Sequence, residues 1–258
     1  MFTREGYIFV GWNTQSNGKG KDYSNKAVVN LREDLNLYAK WKEDTEQENN
    51  RIDILLEGTA DGHEWVDLGL PSGTLWAICN VGAGKPEGYG NYYAWGETST
   101  KNTYNWNTYK YANGSYDKLT KYCSRSDYGS NGFTDKQTTL QSGDDPATAN
   151  WGSGWQTPSE AQWEELLSNT TNQWTTQNGV KGRLFTSKKN GQTLFLPAAG
   201  LCSDKELEFA GSVGSYWSRS LHTGYPNNVR VYGFTSDNCG KGNSERIQGY
   251  NVRPVRQK

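Results

Sequence analysis

The sequence predicts an α+β fold that is rich in β-strands, with few helices and long loops. Its 258 residues include 11 Trp and 16 Tyr, and side chains of this kind bury large areas in a folded core. Its 30 glycines are typical of a chain with many tight turns. The mean hydropathy of -0.90 would by itself suggest disorder, but disordered chains are poor in aromatic residues. We therefore expect a folded, β-rich protein.

The charge of the chain limits the classes of partner. The formal net charge is -1 and the isoelectric point is near 6.2. Proteins that bind nucleic acid or anionic membranes usually carry an excess of basic residues, so we expect no nucleic-acid partner. No apolar run approaches the length needed to span a bilayer, so direct insertion of this chain into a membrane is not expected either.

Two strand-like runs open the chain, at residues 6–12 and 35–41, with a turn-prone Asn-Gly-Lys-Gly between them. Residues 3–12 and 37–41 resemble the Listeria/Bacteroides repeat of internalin-type surface proteins. The resemblance implies a small β-grasp-like module at residues 1–42 that serves as a spacer. The repeat normally begins with a further strand and an Asn-Gly-Gly turn. We therefore expect an N-terminally truncated chain, which accounts for the absence of an export signal.

A polar run follows this module and separates it from the rest of the chain. We interpret residues 43–54 as a linker and residues 55–258 as a second, ligand-binding domain. This domain begins with a predicted hairpin, because residues 63–70 and 74–81 have extended patterns and a Pro-Ser-Gly turn joins them. Residues 99–150 contain few aliphatic side chains, which predicts a long, partly irregular excursion over the surface.

One helix is predicted after this excursion. Thr157 is the expected N-cap, Pro158 suits the first turn, and Glu160 completes a capping box. An apolar stripe that begins at Trp163 then faces one side, and we expect the helix to end near Asn169. The strands expected to follow it lie at residues 182–187, 193–200 and 214–218.

Six motifs of the second domain are similar, in the same order, to those of a known family. They lie at residues 66–76, 93–97, 151–159, 195–200, 216–218 and 252–255. Over residues 60–256 the chain thus resembles the Fibrobacter succinogenes major paralogous domain. The resemblance implies a C-type-lectin-like fold related to the formylglycine-generating enzymes. The family occurs mainly in exported or surface proteins of gut bacteria, so we expect this chain to be extracellular or on the cell surface.

The enzyme relatives imply one alternative function, a formylglycine-generating oxidase. Such enzymes need a closely spaced, copper-binding cysteine pair and a late Arg-Gly-Gly-Ser-Trp motif, and this chain has neither. Its four cysteines are either free thiols or include one long-range disulfide. They lie far apart, at Cys79, Cys123, Cys202 and Cys239. We therefore expect a protein that is not an enzyme.

No metal or cofactor is predicted. The Glu-Pro-Asn and Trp-Asn-Asp motifs through which sugar-binding lectins hold calcium are absent, although Asp237 and Asn238 offer oxygen ligands. The chain contains two histidines, His63 and His222, and neither lies in a nucleophile motif. Both are interpreted as ordinary surface residues.

The segment between Trp217 and Gly249 is the predicted ligand-binding region. It is rich in the residues of recognition loops, in which Tyr supplies rigid contact area and Asn and Ser supply adaptable hydrogen bonds. A generic polar hairpin is the alternative interpretation. The candidate ligand-binding residues are Arg219, Leu221, His222, Tyr225, Asn227, Asn228, Val229, Arg230, Val231, Tyr232, Asp237, Asn238, Asn243 and Ser244.

The strand in the middle of this segment has two possible phases, because alternate residues face opposite sides of a sheet. Hydrophobicity alone would bury Val229 and Val231. The family resemblance instead places Tyr232 and Phe234 in the core, which implies that both valines are exposed. Exposed valines among polar loops would mark a contact surface.

The sequence thus predicts a surface-displayed, non-catalytic, adhesin-like protein that binds a glycan or protein ligand through its C-terminal segment. A second resemblance suggests an alternative, a variable receptor-binding protein of a diversity-generating retroelement. Such proteins also have C-type-lectin-like folds with variable residues near the C-terminus. Adenine mutagenesis of their Asn-type codons excludes Lys, Glu, Gln, Trp and Met. Between residues 219 and 248 only Lys241, Glu245 and Gln248 depart from that rule.

Overall fold

A computed structural model describes residue 4 and residues 7–24, 34–43 and 58–258. The chain divides into two compact units, Met1–Leu55 and Leu56–Lys258. The predicted linker, apart from Glu43, and the first three residues of the predicted second domain lie outside the described residues. Within the described ranges, no helix is long and apolar enough to cross a membrane.

The first unit contains a three-stranded antiparallel sheet. Its strands are β1 (Tyr7–Asn13), β2 (Asp22–Tyr23) and β3 (Tyr38–Glu43), in the order β2-β1-β3. The ring of Phe9 lies edge-on to Trp12 and Trp41, with centroids 5.1 and 5.5 Å away. The two predicted strands are thus confirmed, and aromatic contacts join them.

The second unit begins with the predicted hairpin, in which Val66 pairs with Trp76. The C-terminal strand pairs with the same hairpin, since Val255 also lies opposite Trp76. The start and end of this unit are therefore held in one sheet. Its strands are β4 (Thr59–Ala60), β5 (His63–Val66), β6 (Thr74–Ala77) and β15 (Val255–Gln257), in the order β15-β6-β5-β4.

Residues 99–150 are largely irregular, as expected, but they do not simply cover the surface. Tyr109 and Tyr122 are among several side chains of this segment that lie in the core. The hydroxyl of Tyr109 donates to the carbonyl oxygen of Trp95 at 2.7 Å, which satisfies its polar end. The expected surface excursion is therefore wrong in this respect. Three 3₁₀ turns interrupt it, at Ser126–Tyr128, Ser130–Gly132 and Ser142–Asp144.

Two helices follow, α1 (Pro146–Trp151) and α2 (Glu160–Asn169). The predicted end of α2 is confirmed, but its predicted start is wrong. Ser159 is the N-cap, and it exchanges hydrogen bonds with Gln162 in a capping box. Thr157 lies before the N-cap, and its backbone N–H and its hydroxyl both donate to the carboxylate of Asp145.

The remaining strands form three antiparallel sheets, and they confirm the predicted strands at 182–187, 193–200 and 214–218 in shifted bounds. In the third sheet, Val229 faces a core cluster that includes Trp217, whereas Tyr232 and Phe234 face a second cluster around Trp163. This sheet therefore separates two cores. The sheets are β7 (Thr170–Gln177), β8 (Val180–Ser187) and β9 (Thr193–Pro197); β10 (Leu201–Ser203) and β11 (Glu206–Glu208); and β12 (Gly214–Leu221), β13 (Asn228–Phe234) and β14 (Cys239–Glu245).

Candidate functional site

The two ends of the C-terminal segment, near Trp217 and Arg253, act as scaffold. Trp217 is buried, its indole N–H donates to the carbonyl oxygen of Tyr93 at 2.6 Å, and its ring stacks on Tyr250. Arg253 is also fully buried, and it donates to Oδ1 of Asn80 at 2.8 Å and to the carbonyl oxygen of Ala77 at 3.2 Å. These contacts hold β12 and the C-terminal strand in place and leave the residues between them as the candidate site.

Three of the predicted ligand-binding side chains are in the core. Leu221 and Val229 pair across β12 and β13 and pack in one cluster, and Tyr232 packs in the other with its ring stacked 4.7 Å from Trp163. The prediction that Val229 is exposed is wrong, because its side chain packs in the core cluster that includes Trp217. Val231 is half-buried at the edge of the same cluster.

The loop between β12 and β13 carries the most exposed aromatic residue of the segment, Tyr225, of which 55% is accessible. Its backbone N–H donates to Nδ1 of His222 at 3.1 Å, and Asn227 and Asn228 complete the loop. Arg125 donates to the carbonyl oxygen of Gly224 at 3.0 Å and anchors the loop. Tyr225 is thus displayed on a supported turn.

Asp237 and Asn238 lie in the turn between β13 and β14, and both are exposed. The carboxylate of Asp237 accepts a hydrogen bond from the hydroxyl of Ser236 at 3.0 Å. β13 separates this turn from the Tyr225 loop, and seven extended residues span about 20 Å. The predicted site residues therefore form two groups at opposite ends of the sheet.

The helix-facing side of the hairpin carries charged side chains that already have partners. Arg230 donates to Oδ1 of Asn243 at 2.7 Å and lies 3.4 Å from the carboxylate of Glu160. Lys241 bonds to Glu164, and this hydrogen bond raises the pKa of Lys241. Ser244 points to the other side, where its hydroxyl lies 2.7 Å from that of Tyr250. These contacts stabilise the hairpin.

The side of the hairpin that carries Val231 is open and forms a groove of about 390 Å³. Backbone makes up much of its floor, because Gly233 lies opposite Gly240 and Gly242 lies opposite Val231. The sequence interpretation missed these glycines. Their signal was the alternation of Gly with polar residues in Cys-Gly-Lys-Gly-Asn, which places two glycines on one face of a strand.

The three glycines are not required by the fold of this hairpin. None has the left-handed backbone that favours glycine. A Cβ atom at Gly240 would meet nothing within 4 Å, and at Gly242 and Gly233 the nearest atoms would be 3.5 and 3.7 Å away. Glycine within a strand weakens it and often marks a place where another molecule approaches the backbone. The groove is the surface of the C-terminal segment that best fits a ligand.

A second cluster of chemically active groups surrounds the buried carboxylate of Asp144. It accepts hydrogen bonds from the hydroxyls of Tyr111 at 2.5 Å and Tyr122 at 2.6 Å, and from Nζ of Lys121 at 2.5 Å. Burial alone would raise the pKa of Asp144, but these donors together hold it below its ordinary value. Burial raises the pKa values of both tyrosines. Both oxygens of the Asp144 carboxylate accept hydrogen bonds, so the cluster holds separate parts of the irregular segment in contact.

This cluster gives a pH-dependent contribution to stability. A carboxyl with a lowered folded pKa stabilises the fold above its unfolded pKa, and this stabilisation is lost as the pH falls through the folded value. At pH 7, Asp144→Asn is expected to lower the free energy of unfolding by about 2 kcal/mol. The difference from wild type should shrink below about pH 4. Urea unfolding between pH 2 and 7 measures it, with exposed Asp237→Asn as the control. A pH-independent difference would contradict this account.

The cysteines and His63 are the remaining chemically active residues singled out in the sequence. All four cysteines are free, which favours free thiols over a long-range disulfide. No group of three His, Cys, Asp or Glu side chains in the described part of the chain is arranged to hold a metal ion. His63 is not an ordinary surface residue, because its ring stacks on Trp151 at 3.7 Å and burial lowers its pKa.

Comparison with known proteins finds a similarity for the start of the chain. Residues 1–40 match the family model of the Listeria-Bacteroides repeat domain. No curated protein and no solved structure matches the chain. The beginning of this protein is therefore similar to a Listeria-Bacteroides repeat domain, and the groove lies in the β-rich unit Leu56–Lys258.

Proposed function

We propose that this chain is a surface-displayed, non-catalytic binding protein that contacts a glycan or protein ligand through its C-terminal segment. The observation that best supports this proposal is the groove between β13 and β14. Its three glycines lower the stability of the hairpin without a local steric need, and a ligand that packs against the backbone supplies a reason for them. The exposed ring of Tyr225 adds a second contact point at the far end of the sheet.

Two features of the sequence support display on a surface. The repeat at residues 1–40 resembles spacers of internalin-type proteins, and the six motifs of residues 60–256 resemble a C-type-lectin-like family of exported proteins. In this proposal the repeat is a spacer and the second unit is the binding domain. Extracellular or cell-surface location remains part of the proposal.

The groove is tested by filling it. Gly240→Val adds a side chain where the hairpin leaves open space, so it should leave the stability unchanged or raise it by roughly 0.5 to 1 kcal/mol. The same change should reduce binding at least about tenfold on arrays of glycans and extracellular host proteins, because it occupies the groove. Urea unfolding and array titration measure the two effects.

Gly84→Val is the matched control, since a Cβ at exposed Gly84 also meets nothing within 4 Å and its backbone is not left-handed. It should leave both stability and binding near the wild-type values. Blank arrays for the wild-type protein would contradict a binding function. Undiminished binding by Gly240→Val would contradict the groove as its site.

The retroelement-diversified receptor remains an alternative prediction. The buried positions limit it, because Val229 and Tyr232 are core residues and tolerate little variation, whereas Tyr225 and Asn243 are exposed. A neighbouring reverse-transcriptase gene with a template repeat that differs from this segment at adenines would support it. An isolated gene would contradict it.

A further inference from the structure

A second polar cavity of the Leu56–Lys258 unit contains two arginine side chains. It has a volume of about 330 Å³ and shares no lining residue with the groove. Arg219 from β12 and Arg256 from β15 both line it, beside Gln156 from the loop between α1 and α2. The backbone of Gln156 pairs with Val255, so the three chain segments are held together by the fold.

Arg219 is held by neutral partners. Its Nη1 donates to Oε1 of Gln156, and its Nη2 donates to the carbonyl oxygen of Leu140 at 2.9 Å. Its Nε is buried and has no hydrogen-bond acceptor among the described residues. The guanidinium is thus fixed in orientation, and these partners do not neutralise its charge.

Arg256 also contacts an uncharged partner and has an N–H group without an acceptor in the described part of the chain. Its guanidinium lies over the ring of Trp155, 5.5 Å from the centroid, and its Nη1 is buried without an acceptor in the described part of the chain. Trp155 is fully buried, and its indole N–H donates to the carbonyl oxygen of Ala60 at 3.2 Å. This arrangement makes Trp155 a rigid support for the second cation.

Asp145 is a carboxylate that interacts electrostatically with Arg219, and its oxygens are engaged by other donors. Burial raises the pKa of Asp145, and Arg219 is among the groups that oppose this rise. Asp145 is 1% exposed, and its oxygens accept hydrogen bonds from Thr157 and from the backbone N–H of Ala147. It serves as the N-cap of α1 and does not form an ion pair with either arginine.

Two guanidinium groups that line one cavity favour an oxyanion. Guanidinium matches the geometry of carboxylate and sulfate oxygens, and such charge-assisted bonds are stronger than those between neutral groups. The volume is at the lower end of the range for small-molecule sites and suits one sugar ring. The hydroxyls of Ser142 and Ser153, both in exposed residues, line the same cavity and can bond sugar hydroxyls.

We propose that this cavity binds the carboxylate or sulfate group of an acidic sugar residue. Arg219 and Arg256 hold the anion, and the serine hydroxyls and Gln156 contact the ring. The proposal goes beyond binding at the groove, because Arg256 and the serines lie outside the C-terminal segment that forms it. If experiments show that one of the two sites does not bind a ligand, the proposal for the other site is therefore unaffected.

Titration calorimetry with glucuronic acid, glucose 6-sulfate and glucose tests the cavity on the full chain. We expect at least one of the two acids to bind, and glucose to bind at least about tenfold more weakly. Tighter binding of glucuronic acid would identify a carboxylate as the natural group, and tighter binding of the sulfate ester would identify a sulfate. Sodium chloride should weaken both, since the interaction is electrostatic.

Arg219→Gln and Arg256→Gln should each weaken binding of the preferred acid by about ten- to a hundredfold. Arg4→Gln, at an exposed arginine of the first unit, is the control and should bind as wild type does. Ser153→Phe fills the cavity from an exposed position without altering an arginine, so it tests the site even if an arginine variant fails to fold. The proposal would be overturned if glucose bound as tightly as the acids, or if neither acid bound. It would also be overturned if the cavity variants bound the preferred acid as tightly as wild type does.

Discussion

Replacing Trp163 with Ala is expected to lower the free energy of unfolding by about 3 to 5 kcal/mol. Trp163 is 2% exposed and joins the helix α2 to the sheet that carries the candidate groove. Its ring stacks on Tyr232 and lies 4.7 Å from Trp76, so the truncation opens a cavity that neighbouring rings cannot fill. The variant also loses the indole bond to the carbonyl oxygen of Trp217.

Urea unfolding followed by circular dichroism measures this loss. Trp163→Phe should be less harmful, about 1 to 2 kcal/mol, because it keeps an aromatic ring and loses the hydrogen bond. Tyr225→Ala should change the stability by less than about 0.5 kcal/mol, since Tyr225 is exposed. Equal stabilities for Trp163→Ala and Tyr225→Ala would show that α2 does not hold the sheet through this ring.

The second large effect is expected at Arg253, where replacement with Met should destabilise the protein by about 3 kcal/mol. The Arg253 side chain is fully buried and donates to the carbonyl oxygens of Ala77 and Ile78 and to Oδ1 of Asn80. Met removes all of these donors and leaves buried acceptors unsatisfied. Relief of the buried charge offsets part of that loss.

Arg253→Lys separates charge from geometry. An ammonium keeps the charge but cannot reproduce the planar fork of donors, so we expect it to recover only part of the stability. Arg125→Met, at an exposed arginine that anchors a surface loop, should lower the unfolding free energy by at most about 1 kcal/mol. Stability of Arg253→Met within that same margin would show that the acceptors find other partners, and the buried arginine would then not be a structural requirement.

The predictable parts of the fold are those that depend on neighbouring residues. The hairpin at β5 and β6 follows from alternation and a Pro-Ser-Gly turn, and the end of α2 at Asn169 follows from its apolar stripe. The start of α2 was not predictable from local pattern, because Thr157 and Ser159 are both good N-cap residues. In the structure Ser159 is the N-cap, and Thr157 donates hydrogen bonds to Asp145, distant in sequence.

In the candidate site, too, some features follow from the sequence and others only from the tertiary structure. Composition directed attention to the segment that forms β13, β14 and their loops, since residues typical of recognition are concentrated there, and its role as the binding site stays a prediction. It did not show that Val229 and Tyr232 are both buried, because they lie on opposite faces of β13 and each packs in a different core cluster. It also did not separate the Tyr225 loop from the Asp237 turn, which lie at opposite ends of β13.

The sequence by itself therefore determined a β-rich fold and an N-terminal repeat, and it indicated a candidate ligand-binding segment. These three conclusions depend on composition and on short motifs. Only the tertiary structure decided which side chains of that segment reach the surface. It also brought Gly233 opposite Gly240 and placed Arg219 beside Arg256. The physical reason is that strand pairing and core packing join residues that are far apart in the chain, and local patterns carry no information about those partners.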